Sequence, residues 1–397
     1  MSGIIIWILA FMFLVVIHEF GHFATAKKFG VKVLEFGIGI PPKLFKFWKD
    51  KTGTEYTINL IPLGWFVRLK WEDPDDKEDF WAKDSLISAS FFAKVCILIG
   101  GVVMNFLFTW IVFVIAFWVG FQPMQIISSN FINVTNDTFI IANIQTLAKE
   151  WLIKDSSLSQ SPIIWEVMSG GLWSKIWFES WDILLKINNI PSTNLSFADI
   201  LRDNIGQNIY ISTKRWQNEL LLTWTCAKDN CVLWVTIANS PDLSNIYIHK
   251  PGLQAFGYAT RELQNQTILS YKILAKVFGG LIHGDFKSSV SKLSGPAWAI
   301  KMWSNILDKQ PIIQYLLWMA MISLSLAIFN ILPIPALDGG RLLWFLIQKI
   351  FWLRGDRYFV IEWYLNILFF VLMMGLGIYI LLKDLVMAWW INIPFFG

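Results

Sequence analysis

The chain has 397 residues, 55% of them hydrophobic, with a mean hydropathy of +0.51, which excludes a large soluble core and points to a membrane protein. The formal net charge of +4 is too small to suggest a nucleic-acid partner, and three cysteines exclude a disulfide scaffold.

The first element is an apolar segment, residues 3–23, long enough to span a bilayer. It has no charged leading region and no small-residue cleavage site, so it is expected to be retained. Within it stands His18-Glu19-Phe20-Gly21-His22. Two histidines at i and i+4 share one helix face and can reach one Zn²⁺. Glu19 can then act as general base to a water that the metal activates. An ionisable cluster at membrane depth is costly unless it has a function. A soluble metalloprotease has no reason to bury this motif in a spanning helix, whereas a protease that cuts inside the bilayer does.

The following loop carries Lys27, Lys28, Lys32, Lys43, Lys46, Lys49 and Lys51, which predicts a cytoplasmic location. Its alternating runs, VKVLEFGIGI and TGTEYTINLIPLGWFVRLKW, read as short strands, and the acidic stretch 72–78 as a solvated linker. A second apolar segment covers 91–119, with Cys96 packed in it. A long polar region, 122–310, follows. Its middle, 162–238, holds strand-like runs (DILLKI, NIYIST, ELLLTW, VLWVTI) and a helical piece at 197–202, and reads as a small globular domain. Cys226 and Cys231 flank a turn-like Ala227-Lys228-Asp229-Asn230 and either pair across a hairpin in an oxidising space or remain two thiols. Residues 260–283 read as an amphipathic helix outside the membrane core, and His249 and His283 as surface residues. The third and fourth apolar segments are 312–332 and 359–382.

A cytoplasmic basic loop makes the first helix run inward, the second outward, the third inward and the fourth outward, with the globular domain and both termini outside. The loop between the last two segments carries Arg341, Lys349, Arg354 and Arg357, as the charge rule then requires. The third segment ends in Asn330-Ile331-Leu332-Pro333-Ile334-Pro335-Ala336-Leu337-Asp338-Gly339-Gly340-Arg341, at the same membrane face as the histidines. Pro333 and Pro335 break the helix, which is tolerated at membrane depth where the backbone lines a cavity. Asp338 stands beside two glycines that let the backbone turn closely. Zinc needs a third protein ligand and an open fourth position, so His18, His22 and Asp338 are the expected ligands. Asn330 has a plainer reading, a hydrogen bond between helices.

These residues resemble the site-2 protease family of intramembrane zinc metalloproteases, most of all its bacterial regulator-of-sigma-E protease branch. HEFGH matches the family's HExxH, and Asn330–Gly340 its N-x-x-P-x-P-x-LDGG. EFGIGIPPKLF and INLIPLGWFVRL resemble its membrane-associated β-loop. Asn105, in GGVVMN, is similar to a family asparagine, with Val102 where a proline is usual. SPIIWEVMSGGLWSKIWFESWDILLKINN resembles an inserted PDZ domain, and KLSGPAWAI a further family signature. The resemblance implies a polytopic helical membrane protein of about four transmembrane helices. It divides the chain into a first helix with HExxH (1–30), a β-loop and linker (31–90), a second helix (91–121), a linker (122–161), a PDZ-like domain (162–240), a linker with an amphipathic helix (241–310), a third helix with LDGG (311–345), and a fourth helix and tail (346–397). It also implies Zn²⁺ as cofactor, Asn330 and Gly64 as substrate-binding residues, and a multi-pass location in the bacterial inner membrane with the active site near the cytoplasmic side. The implied substrate is a single-span signalling protein, such as an anti-sigma factor, already trimmed by an upstream site-1-type protease. The PDZ domain would filter or gate it, and the β-loop would hold it as an added strand.

Two rival readings stand beside this one. A catalytically dead scaffold that binds peptide termini through the PDZ-like domain would have no need of Glu19. A transporter would show inverted repeats, which the sequence lacks.

The chain carries 23 tryptophans. Several stand where the family carries glycine: Trp65, Trp165 (ahead of the first PDZ strand), Trp177, Trp181 and Trp298. Turn glycines often need φ > 0, which a bulky residue adopts at high cost. We therefore expect that the source genome reads UGA as glycine; the alternative is an authentic tryptophan-rich protein with aromatic belts. Sequencing the gene decides this: UGA at Trp65, Trp177 and Trp181 is the expected result, and UGG at these positions removes the idea.

Overall fold

The computed structural model describes residues 2–70, 82–124, 138–141, 147, 160–167, 183–191, 207–215, 218–225, 235–241, 246–284, 311–352 and 356–389. The chain divides into two units, 1–119 with 251–397, and 120–250.

The first unit contains helices α1 (Ser2–Lys28), α2 (Phe91–Val119), α3 (Gln254–Ile282), α4 (Ile312–Asn330), α5 (Asp338–Ile350) and α6 (Asp356–Trp389), with strands β1 (Val33–Lys49) and β2 (Glu55–Leu69). Among the described residues four stretches are long and apolar enough to cross a membrane: Ile5–Lys28, Phe91–Val119, Ile312–Asn330 and Val360–Lys383. The amphipathic helix α3 begins at Gln254, six residues before the sequence reading placed it. Helix α5 is a separate element that hydropathy alone does not mark off from the third apolar segment. It forms because the chain restarts a helix at Asp338 and buries Phe345 in a core with Ala26, Val31, Val33, Val67, Leu69, Leu86, Ile97 and Leu98.

Helices α1 and α2 meet through glycine. A Cβ added to Gly21 would fall onto the carbonyl oxygen of Gly100, and one added to Gly100 would lie 2.7 Å from that of Gly21. Small residues let helix backbones approach closely where lipid provides no hydrophobic drive. Helix α4 is tied to α2 by hydroxyls: Ser323 Oγ donates to Asn105 O at 3.2 Å, and Thr109 Oγ1 shares its proton between Asn105 O at 2.9 Å and Ala320 O at 3.1 Å.

Strands β1 and β2 each bend, so their registers stack four segments. Residues 43–49 pair with 55–59, 55–58 with 35–38, and 33–38 with 65–69. Gly39 and Gly64, both at φ +84°, stand at the bends. The sequence reading ended the first strand at Ile40; the strand instead continues past Pro41 and Pro42 to Lys49. Prolines are tolerated at a bend leading into an edge segment, where no ladder bond is lost. Among the described residues no strand pairs with the outer edge of 65–69. Trp65 lies on β2 with its ring 5.5 Å from that of Phe36. The positive φ of this bend falls on Gly64 instead, so the strain argument for a glycine does not apply at Trp65.

The second unit is an antiparallel sheet of β3 (Gln160–Val167), β4 (Ile183–Ile187), β5 (Ile190–Pro191), β6 (Asn208–Arg215), β7 (Asn218–Thr225) and β8 (Val235–Pro241). Its order is β7-β6-β4-β3-β8, with β5 paired to β4 through a turn at Asn188 and Asn189, both at positive φ. Leu184, Ile187, Ile209 and Ile211 are buried in it. Three of the four predicted runs coincide with β4, β6 and β7, and VLWVTI is strand over its described residues, from Val235. Trp165 lies inside β3, not ahead of the first strand, where the register against β8 shifts between Ile164 and Glu166. Cys226, Cys231, Trp177, Trp181, Trp298, the helical piece at 197–202, the linker at 72–78 and KLSGPAWAI lie outside the described residues.

Two predictions follow from this packing. Gly100→Ala destabilises the protein by about 1–3 kcal/mol through overpacking, read as a lower thermal midpoint in detergent. Gly375→Ala on α6, where an added Cβ meets nothing within 4 Å, does not. On the β-hairpin, Glu55 accepts from Lys46 Nζ at 2.6 Å and Lys43 Nζ at 3.1 Å, and these bonds hold its carboxyl down to about 2. A carboxylate whose folded value is depressed contributes stability above its unfolded value, near 4.3, and loses it as pH falls towards about 2. Limited proteolysis between Lys43 and Glu55 therefore speeds up on acidification through this window in the parent, and Glu55→Gln removes that part of the pH dependence.

Candidate metal centre

His18 and His22 lie one turn apart on α1, both buried, with ring centroids 4.8 Å apart and planes at 82°. The third member arrives from the far end of the chain. After α4 the backbone leaves the helix at Ile331 and re-enters one at Asp338. The glycines that follow Asp338 are required by close approach: a Cβ on Gly339 would fall onto Ile331 O, and one on Gly340 onto Ile334 O. The loop is pinned from α6, where Asn366 Oδ1 accepts from the N–H of Ala336, a residue at φ +75°.

The result is a triangle of donor atoms. Asp338 Oδ2 lies 3.1 Å from His18 Nε2 and 3.3 Å from His22 Nε2, and the two nitrogens are 3.2 Å apart. Ligands about 2.0–2.1 Å from a tetrahedral centre stand about 3.3–3.4 Å from one another. Two imidazole nitrogens and one carboxylate oxygen at this spacing fit Zn²⁺ and leave the fourth position open. Among the described residues these three form the one group of histidine, cysteine and acidic side chains able to hold a metal.

A cavity of about 400 Å³ opens beside the triangle. Glu19, His22 and Asp338 line it, together with Phe66–Leu69 on β2, Ile97 and Leu98 on α2, and Arg341 on α5. Asn330 comes close as well, with Nδ2 3.2 Å from His18 Nε2. Gly64 does not line the cavity; it stands at the bend two residues before the lining segment of its strand.

Three residues of α2 surround the imidazoles. His22 Nδ1 donates to Ile97 O at 2.8 Å, and the amide of Asn105 lies 3.2 Å from His18 Nδ1. Between them, a Cβ on Gly101 would fall 2.5 Å from His22 Nε2 and 2.6 Å from His18 Cε1. In the sequence Asn105 stands out only by resemblance, and Ile97 and Gly101 do not stand out. The signal was present as one helix stripe at i, i+4 and i+8, ending in a polar residue within an apolar segment.

Peptidase family M50 matches residues 6–375 of this chain. A regulator of sigma-E protease from Salmonella typhimurium is 26% identical over 94% of this chain and 96% of its own. A protein from Clostridium perfringens named as a zinc metalloprotease is 30% identical over 96% of this chain and 98% of its own, and one so named from Helicobacter pylori is 28% identical over 87% and 89%. With four candidate spans and a donor set that fits zinc, the chain belongs to peptidase family M50, the site-2 proteases, and is a zinc metalloprotease of the membrane.

Proposed function

We propose that His18 Nε2, His22 Nε2 and Asp338 Oδ2 hold the zinc and that Glu19 is the general base of intramembrane peptide hydrolysis. The convergence of the three donor atoms beside a cavity that Glu19 lines carries this reading. When bound, zinc supplies a Lewis acid that polarises the scissile carbonyl and lowers the pKa of a water. Glu19 takes a proton from the attacking water and passes it to the leaving amine nitrogen. Asn330 Nδ2 donates to the substrate carbonyl oxygen, where charge develops.

The substrate is a transmembrane segment of a single-span signalling protein, such as an anti-sigma factor, first trimmed outside by a site-1-type protease. Relatives named as regulators of sigma-E protease support this class. The segment binds as an added strand along the outer segment 65–68 of the hairpin, whose residues Phe66–Arg68 line the cavity. Pairing there unwinds it, which cleavage requires because a helical peptide bond is shielded by its own hydrogen bonds and side chains. Gly64 serves binding by making the bend that begins this edge. The sheet of 120–250 is PDZ-like and acts as a size filter or gate.

The protein is multi-pass in the bacterial inner membrane, with both termini extracytoplasmic and the site near the cytoplasmic side. The lysines that follow α1 support this orientation. His22 stands six residues before Lys28, about 9 Å along the helix, so the site is within the bilayer but close to that face.

Co-expression with a single-span substrate already shortened outside tests the reading. The parent cleaves it, and Glu19→Gln loses at least about 10²-fold in rate while still retaining zinc. Equal cleavage by both overturns the assignment of the base.

A further inference from the structure

Asn105 is fully buried, and its backbone carbonyl is fixed by Ser323 Oγ and Thr109 Oγ1. Its side-chain amide faces His18 through Nδ2, 3.2 Å from Nδ1, while Oδ1 has no hydrogen-bond partner. The two ends of an amide have nearly the same shape, so which end faces a neighbour is decided by hydrogen-bond chemistry. Turning the amide over keeps the contact with His18 Nδ1 and strips Oδ1 of no hydrogen bond, so the state of the histidine decides.

His18 directs Nε2 at Asp338 and His22. A nitrogen that binds a metal must offer its lone pair, and a neutral imidazole then carries its single proton on the other nitrogen. His18 Nδ1 is thus a donor, and the NH₂ of Asn105 would meet an N–H. The carbonyl oxygen in its place accepts that proton. His22 has the same arrangement: its Nδ1 donates to Ile97 O, a main-chain oxygen that can only accept.

We infer that Asn105 is a positioning residue that accepts from His18 Nδ1–H through Oδ1, so that α2 fixes both histidines in the metal-binding tautomer, His22 through the main chain and His18 through this one side chain. Ile97, Gly101 and Asn105 form a single stripe at i, i+4 and i+8. The outer two supply the acceptors, and the glycine between them makes room for the rings. Partners of this kind raise ligand basicity and fix ring orientation. This inference rests on the reading of His18 as a zinc ligand.

Zinc affinity of the full chain in detergent, measured by competition with a chelator, tests it without reference to proteolysis. Asn105→Leu keeps the volume and removes the acceptor, and weakens zinc binding about 10–100-fold. Asn105→Asp keeps an acceptor at the same place, and its affinity equals or exceeds that of the parent. Unchanged affinity in Asn105→Leu overturns the inference, as does an equal loss in Asn105→Asp, which would mean that His18 needs the amide's donor. The thermal midpoint of the zinc-free variants shows whether each folds. If Asn105→Leu does not fold, Asn105→Ala, which cannot overpack, is read by the same criterion. His18→Ala separates the two levels: parental affinity in that variant removes the ligand reading itself, whereas a loss there with silent Asn105 variants removes this inference alone.

Discussion

The backbone contact between α1 and α2 sets what the rest of the membrane unit can do. Gly21 lies against Gly100, and Gly101 leaves a space that the two imidazoles occupy. Close approach of this kind is available only to residues without a side chain, and lipid offers no hydrophobic force to compensate for a looser fit. With the helices this near, Ile97 O comes within hydrogen-bond distance of His22 and the amide of Asn105 within that of His18. The hydroxyls of Thr109 and Ser323 then tie α4 to α2, and α4 leads to the loop that delivers Asp338. The donor triangle is the product of that chain of contacts, although Asp338 stands more than 300 residues from His18 in sequence.

A second constraint acts on the backbone after α4. A chain that leaves a helix at membrane depth must satisfy its exposed amides from protein. Here Asn366 accepts from Ala336, and the glycines let the start of α5 lie directly on the carbonyls of Ile331 and Ile334. The prolines of this loop reduce the number of donors that need a partner. Irregular backbone and a carboxylate are thus brought together at one place, beside the cavity.

The folded hairpin illustrates a different relation between sequence and structure. Alternation in the first run is legible as far as Ile40, where Pro41 and Pro42 follow. The glycine at position 39 allows a bend, after which the chain runs on as an edge that carries Lys43, Lys46 and Lys49 against Glu55. The bend turns one hairpin into a four-segment sheet and leaves residues 65–69 as its outer segment beside the cavity. No local pattern announces that placement, because it depends on which segment pairs with which.

The four apolar spans, the helical spacing of His18 and His22, the acid between two helix breakers and two glycines, and three of the sheet strands are legible in the amino-acid sequence. These follow from hydropathy, from periods of 3.6 and 2, and from turn residues, all of which act over a few neighbouring positions. Tertiary structure alone decided that Asp338 meets both histidines at ligand spacing, that α5 is a separate helix with Phe345 in the core, that Trp165 falls within a strand, and that Ile97, Gly101 and Asn105 form the cradle of the rings. Each of these depends on contact between segments far apart in the chain, and such contact is fixed by packing and by the pairing of buried polar groups.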